Sequence, residues 1–225
     1  MAALPDVRVS WSAPASGEWE SPTNRSDGAW IDPVAHRERP IVSADARRTI
    51  YLRPWRVDIV RRDAVRSPLP ASRLASSVAV ALEAARAPEP GSVTVVLTDD
   101  EELEELNVEH MGHEGPTDVL SFPMLEPDAF HRTGPDDARP RPRRAIAPLH
   151  RRARTHIGDI AISVQRAAEQ ATEGRGGQTG DVRWSVADEL RLLVTHGTLH
   201  LCGWDHAEPA EEAPMRALEQ ALLAR

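Results

Sequence analysis

Nine segments of the chain have a pattern of apolar and polar positions that predicts regular structure. Four are predicted strands, because they alternate apolar and polar residues or carry a short apolar run: residues 55–60, 92–97, 116–123 and 158–163. Five have apolar residues at helical spacing: four follow Pro70, Thr98, Ser163 and Ser185, and the last spans residues 215–223. The predicted order is strand, helix, strand, helix, strand, strand, helix, helix, helix.

Capping residues indicate where two of the predicted helices begin. Ser185 with Asp188, and Thr98 with Glu101, each have the spacing of a capping box, in which two side chains and two backbone N–H groups pair reciprocally. Gly203 predicts the end of the helix that follows Ser185, because glycine adopts the left-handed conformation common at helix ends.

The first part of the chain, residues 1–53, differs from the rest. It is rich in Pro, Ser, Asp and Arg and has no apolar period of 2 or 3.6. This composition favours a disordered extension, or upstream sequence included through a mistaken start site. The alternative is a tail that binds a partner through Trp11, Trp19 and Trp30. We predict that the folded domain spans residues 54–225.

Composition narrows the class of protein. The 225 residues are 40% hydrophobic, enough for one core, and predict one domain with or without extra segments. No stretch reaches the ~18 apolar residues of a membrane span, and residues 1–10 lack the apolar run of a secretory signal. The single cysteine, Cys202, fits a reducing, cytoplasmic location. The net charge of −8 argues mildly against a protein that coats nucleic acid nonspecifically.

Three histidines lie within a segment of eleven residues and predict a metal site. His196 and His200, four positions apart, share one helix face, where two imidazoles can bind one ion. Gly203 permits a sharp turn that can bring His206 to the same ion. Three neutral imidazoles leave a tetrahedral zinc with one open position for water, the arrangement of a catalytic site. The alternative is a cluster of ordinary packed or solvated histidines.

The same spacing occurs in the metzincin proteases, HExxHxxGxxH, but a peptidase is disfavoured here. Gly197 stands where those enzymes need a glutamate as general base. Asp205 lies outside the helix turn between the ligands and cannot easily replace it. We predict that Asp205 either accepts a hydrogen bond from a ligand imidazole or caps the helix end.

Three segments, in the same order along the chain, resemble motifs of the YbeY family of bacterial endoribonucleases, also called rRNA maturation factors. Residues 196–206 resemble the HGxLHLxGxDH signature, residues 116–123 resemble PTDVLSFP, and residues 158–163 resemble the GDI-x-IS strand. The resemblance covers about residues 55–223, apart from a basic Pro- and Arg-rich insert at about 126–156. It leaves the first fifty residues unexplained.

The resemblance implies an α+β fold, a single domain with a small mixed β-sheet, packed helices and a zincin-like metal helix. It implies one Zn²⁺ per chain, held by His196, His200 and His206, and metal-dependent cleavage of single-stranded RNA. It further implies a role in maturation of the small-subunit rRNA 3′ end and in ribosome quality control. The implied partners are rRNA, small-subunit ribosomal proteins and a ribosome-assembly GTPase.

One departure from the family pattern concerns a cation in the active-site cleft. Many members have Tyr-Arg-Gly ahead of PTDVLSFP, whereas this chain has Met111 at the arginine position. The basic stretch of the insert from Arg139 to Arg154 is a candidate replacement that would hold RNA through salt-dependent phosphate contacts. Its candidate residues are Arg143, Arg144, Arg151 and Arg152. The alternative is a solvated, disordered loop.

The sequence is compatible with two further functions, and it does not identify a catalytic side chain. A noncatalytic, zinc-containing ribosome-assembly or RNA-binding factor is compatible with Met111 and with the lack of an obvious general base. A zinc hydrolase acting on peptides is disfavoured by Gly197. Near the histidines, we predict that Cys202 packs in the core and that Trp204 packs in the turn rather than stacking on a base.

Overall fold

The computed structural model describes residues 46–126, 129–130, 153–173, 184–205 and 209–225. Its strands are β1 (Ala46–Leu52), β2 (Trp55–Arg61), β3 (Gly91–Thr98), β4 (Val119–Pro123) and β5 (Thr155–Ser163). Its helices are α1 (Ala71–Ala84), α2 (Asp100–Met111), α3 (Val164–Glu173), α4 (Val186–Leu201) and α5 (Pro209–Leu223).

The five strands form one mixed sheet in the order β1-β2-β3-β5-β4. The three inner strands are parallel, and each edge strand is antiparallel to its neighbour. Helices connect the parallel strands, as crossover connections require. The predicted α+β class, with a small mixed sheet and packed helices in one domain, is confirmed.

The two faces of the sheet carry separate apolar clusters. One face packs against α1 and α4, and its cluster contains fully buried Leu74 of α1 and Leu190 of α4. The other face has a smaller cluster that includes Leu103 and Leu106 of α2. The sheet is therefore covered mainly on the side where α4 lies. Among the described residues, no helix has the length and apolarity needed to cross a membrane.

Strand β1 corrects the predicted extent of the N-terminal extension. Residues 46–52, assigned above to the extension, pair along their whole length with β2, from Ala46 opposite Arg61 to Leu52 opposite Trp55. An edge strand exposes most of its side chains, and only Ile50 and Leu52 pack against the core. Two inward residues are too few to produce a recognisable period. Residues 1–45 lie outside the described part of the chain.

Other boundaries also differ from those predicted: β4 begins at Val119 rather than at residue 116, and α5 begins at Pro209 rather than at residue 215. Asp99, rather than Thr98, caps α2: its side chain accepts the backbone N–H of Glu102, while the Thr98 hydroxyl donates to the Glu102 carboxylate. Strand β5 begins at Thr155, inside the segment predicted to lack periodic structure. The capping box of Ser185 and Asp188 at the start of α4 is confirmed.

Candidate metal centre

Helix α4 carries His196 and His200. It begins with a capping box and ends just before a glycine. The Ser185 hydroxyl accepts the backbone N–H of Asp188, and the Asp188 carboxylate accepts the backbone N–H of Ser185. The helix ends at Leu201, and Gly203 follows with φ 77°, a conformation that favours glycine. The predicted stop at Gly203 is therefore confirmed.

Gly197 lets the middle of α4 lie directly against the sheet. A Cβ atom at this position would be 2.9 Å from Cγ2 of Ile160 and 3.1 Å from Oγ of Ser121. The Ser121 hydroxyl also donates a hydrogen bond of 3.1 Å to the Gly197 carbonyl, which ties β4 to α4. Ser121 belongs to the PTDVLSFP motif, so that motif supports α4 from the adjacent strand.

His196 and His200 meet on one side of α4, as their spacing predicts. Their Nε2 atoms are 3.0 Å apart, and their rings are nearly perpendicular, with centroids 4.5 Å apart. Both side chains are half-buried. Two imidazole nitrogens thus converge on one point at the surface of the helix.

A carboxylate that the sequence analysis did not identify contacts the first of these rings. Glu219 of α5 lies with Oε1 2.6 Å from Nδ1 of His196, and only 9% of the residue is exposed. The signal was available: Glu219 follows Met215 by four positions and precedes Leu222 by three, so it lies on the apolar stripe of α5. A charged residue on a buried stripe indicates a specific partner.

The donor set of His196 and His200 fits a zinc ion. Zinc–nitrogen bonds of about 2.0–2.1 Å in a tetrahedral site place two ligand nitrogens about 3.3 Å apart, close to the separation observed here. The contact with Glu219 engages Nδ1 of His196, while Nε2 of the same ring faces Nε2 of His200. His206, the third predicted ligand, lies outside the described residues. Within those residues, no group of three or more His, Cys, Asp or Glu side chains could hold a metal.

The residues that follow the histidines have structural surroundings. Cys202 is 1% exposed, as predicted for a core residue, and burial raises the pKa of its thiol to about 12. Trp204 packs against the main apolar cluster, in agreement with the predicted turn packing. Asp205 is half-buried, and its two predicted roles stay predictions.

The remaining PTDVLSFP residues stabilise the edge of the sheet rather than the histidine pair. Asp118 is buried and accepts a hydrogen bond of 2.9 Å from the Gln170 amide of α3. Its backbone carbonyl accepts the N–H of Ser163 at the end of β5. Asp118 therefore joins the start of β4 to α3 and to the end of β5.

Met111, at the position of the family arginine, packs against the smaller apolar cluster under α2. Nearby, His110 makes an edge-on contact with Phe122, with ring centroids 5.2 Å apart.

The four candidate RNA-binding residues of the insert lie outside the described residues: Arg143, Arg144, Arg151 and Arg152. Arg154, at the end of the insert, donates to the Pro54 carbonyl and stacks over Tyr51.

Comparison with known proteins identifies a class of enzymes that cut RNA internally. A family model described as endoribonuclease YbeY matches residues 64–225. A relative of that name from Thermobifida fusca is 38% identical over 170 residues, 75% of this chain and 92% of the relative. Another, from Dehalococcoides mccartyi, is 35% identical over 77% of this chain and 95% of its own length. A solution structure from Thermotoga maritima has a TM-score of 0.42 and 24% identity, covering 74% of this chain and 86% of that one.

The family model covers most of the chain, and the relatives match over nearly their whole length. The chain therefore belongs to the endoribonuclease YbeY family. The resemblance noted in the sequence is confirmed, and with it the general class of a nuclease that acts on RNA.

Proposed function

We propose that this protein is a zinc-dependent endoribonuclease specific for single-stranded RNA. The observation that supports the proposal is the approach of His196 Nε2 and His200 Nε2 to 3.0 Å, on a helix whose sequence carries the signature of an endoribonuclease family. His206 is the proposed third ligand. A zinc ion held by these three imidazoles supplies Lewis-acid polarisation of a phosphodiester and an acidified water.

The chain's own residues contribute the scaffold of this site. His196 and His200 are presented by a capped helix that Gly197 holds against the sheet. We assign RNA phosphate contacts to Arg143, Arg144, Arg151 and Arg152, on the strength of the local positive charge of the insert. Such contacts weaken as salt concentration rises.

The proposed biological role follows the family resemblance. The substrate is single-stranded rRNA, cut during maturation of the small-subunit 3′ end and during ribosome quality control. Small-subunit ribosomal proteins and a ribosome-assembly GTPase are the proposed partners, and the cytoplasm is the proposed location.

Met111 favours a second candidate function, a noncatalytic assembly factor in which zinc supports RNA binding. The methionine packs in an apolar cluster, so this position supplies no cation for a phosphate. A peptidase has less support, because Gly197 occupies the position of the glutamate that those enzymes use as general base. A side chain at this position would also overlap Ile160 and Ser121 of the sheet.

The test compares the wild-type protein with His200→Ala and with His113→Ala, a half-buried histidine outside the pair. Zinc content is measured after identical purification, and each protein is incubated with matched single-stranded and duplex RNA, with and without a chelator. We expect His200→Ala alone to lose zinc and cleavage, because it removes one of three proposed metal bonds.

The outcomes separate the candidate functions. Cutting of the single strand by wild type and His113→Ala, abolished by chelator, supports the nuclease. Zinc and RNA binding without cutting supports the assembly factor. Full zinc occupancy in His200→Ala refutes the ligand assignment, and equal cutting by all three proteins points to a contaminant.

A further inference from the structure

We propose that Glu219 is a positioning residue for the metal centre: its carboxylate fixes the ring of His196 so that Nε2 is presented to zinc. This inference rests on the proposed function, because it requires that His196 is a metal ligand. The three motifs quoted above extend to His206, and Glu219 lies beyond them on the next helix.

The position of Glu219 is determined by the packing of α5. Met215 is 1% exposed and Leu222 is 5% exposed, so the helix face between them is held against the core. Glu219 lies on that face and is carried to the side of α4. A carboxylate loses hydration when it is buried, and a strong partner must offset that cost. His196, with its side chain 13% exposed, provides one.

The contact determines which nitrogen of His196 carries the proton. An ionised carboxylate accepts hydrogen bonds and donates none, so the ring must present Nδ1–H to Oε1 of Glu219 at 2.6 Å. In the neutral imidazole, Nε2 is then the nitrogen whose lone pair can bind a metal ion. This is the nitrogen that lies 3.0 Å from Nε2 of His200. The hydrogen bond also restricts rotation of the ring and makes it a stronger electron donor.

A purely structural tether between α4 and α5 is the competing explanation, and the chain supplies a control for it. Arg191 of α4 donates a hydrogen bond of 3.1 Å to the Leu223 carbonyl of α5. This contact joins the same two helices away from the histidine pair. Loss of the tether at Arg191 should change the stability of the helix pair without changing zinc affinity.

The experiment measures zinc affinity by competition with a chromophoric chelator, and the melting temperature of each zinc-loaded protein. The variants are Glu219→Gln, which keeps a hydrogen-bond acceptor, and Glu219→Leu, which removes it and is compatible with an apolar helix face. Controls are Arg191→Met for the tether and Glu212→Gln, a partly exposed carboxylate of α5 paired with Arg216.

We expect zinc affinity to fall about 10–100-fold in Glu219→Leu and by less in Glu219→Gln, in the range seen when a carboxylate behind a histidine ligand is lost. Both control variants should keep wild-type affinity. Wild-type affinity in Glu219→Leu, or an equal loss in Arg191→Met, overturns the inference. A wild-type protein that binds no zinc instead refutes the proposed metal centre itself, and the inference falls with it.

Discussion

His156, at the start of β5, shows how one contact sets the protonation of a single side chain. Its Nε2 lies 3.0 Å from Oδ1 of Asp159, and this hydrogen bond raises the pKa of the imidazole above its ordinary value of 6.5. Burial opposes the shift, and the charges of Asp159 and Asp58 add to it. Because the pKa is higher in the folded state, the stabilisation is complete below about pH 6.5 and is lost as the pH rises through the folded pKa.

We therefore expect His156→Gln to destabilise the protein more at about pH 5.5 than at about pH 8.5. The measurement is urea denaturation of wild type and variant at both pH values. His113→Gln, at a half-buried histidine in another segment, serves as the control for the loss of an imidazole. The same free-energy difference between wild type and His156→Gln at both pH values would contradict the assignment.

The residues of the candidate site were predictable to different degrees. His196 and His200 follow from a spacing of four positions, because helix geometry alone puts such residues on one face. Glu219 does not, since its pairing with His196 depends on how α5 docks against α4 across 23 residues of chain. A sequence shows that Glu219 is on an apolar stripe; only packing shows which side chain it meets.

At the scale of elements, the approach of α4 to the sheet depends on the missing side chain of Gly197. Alanine has a higher helix propensity than glycine by about 1 kcal/mol, which on its own predicts a more stable Gly197→Ala variant. Steric overlap opposes this gain. The added Cβ would lie 2.9 Å from Cγ2 of Ile160, a fully buried, β-branched residue with little freedom to move.

We expect overpacking to outweigh propensity, since extra methyl groups in a packed core cost about 1–3 kcal/mol. Gly197→Ala should therefore lower the free energy of unfolding, measured by denaturant titration and analysed for a change in midpoint. A midpoint at or above that of the wild type would show that α4 can move away from the sheet at no cost.

Element boundaries were predicted well where the chain itself carries the signal. Ser185 and Asp188 satisfy each other within one turn, so the start of α4 could be predicted from sequence. Strand β1 could not, because its formation depends on pairing with β2 rather than on its own two inward-facing residues. Hydrogen bonds to a neighbouring strand leave no apolar period in the sequence of β1 itself.

At the scale of the whole molecule, β1 is the first element of the described fold. It covers the outer edge of β2, which would otherwise present unpaired N–H and C=O groups. Deleting residues 1–54 removes this strand, with the packing of Ile50 and Leu52, whereas deleting residues 1–45 leaves it intact. We expect the longer deletion to lower the melting temperature by on the order of 5 °C or more, and the shorter one to leave it unchanged.

The two truncations also test the prediction that remains for the N-terminal extension. A large decrease in melting temperature for the shorter deletion would show that residues 1–45 belong to the folded domain. Equal melting temperatures for all three proteins would instead show that β1 contributes little to stability. Thermal melts with and without zinc separate these effects from metal binding.

The order of elements along the chain has a consequence for synthesis. All five strands are complete by Ser163, whereas α4 begins at Val186 and Glu219 lies on α5. Because a chain emerges from the ribosome N-terminal end first, the sheet is made before any part of the proposed metal centre. The residues of the proposed site are therefore made after the strands that α4 packs against, and the core of the sheet is completed by the same helix that carries His196 and His200.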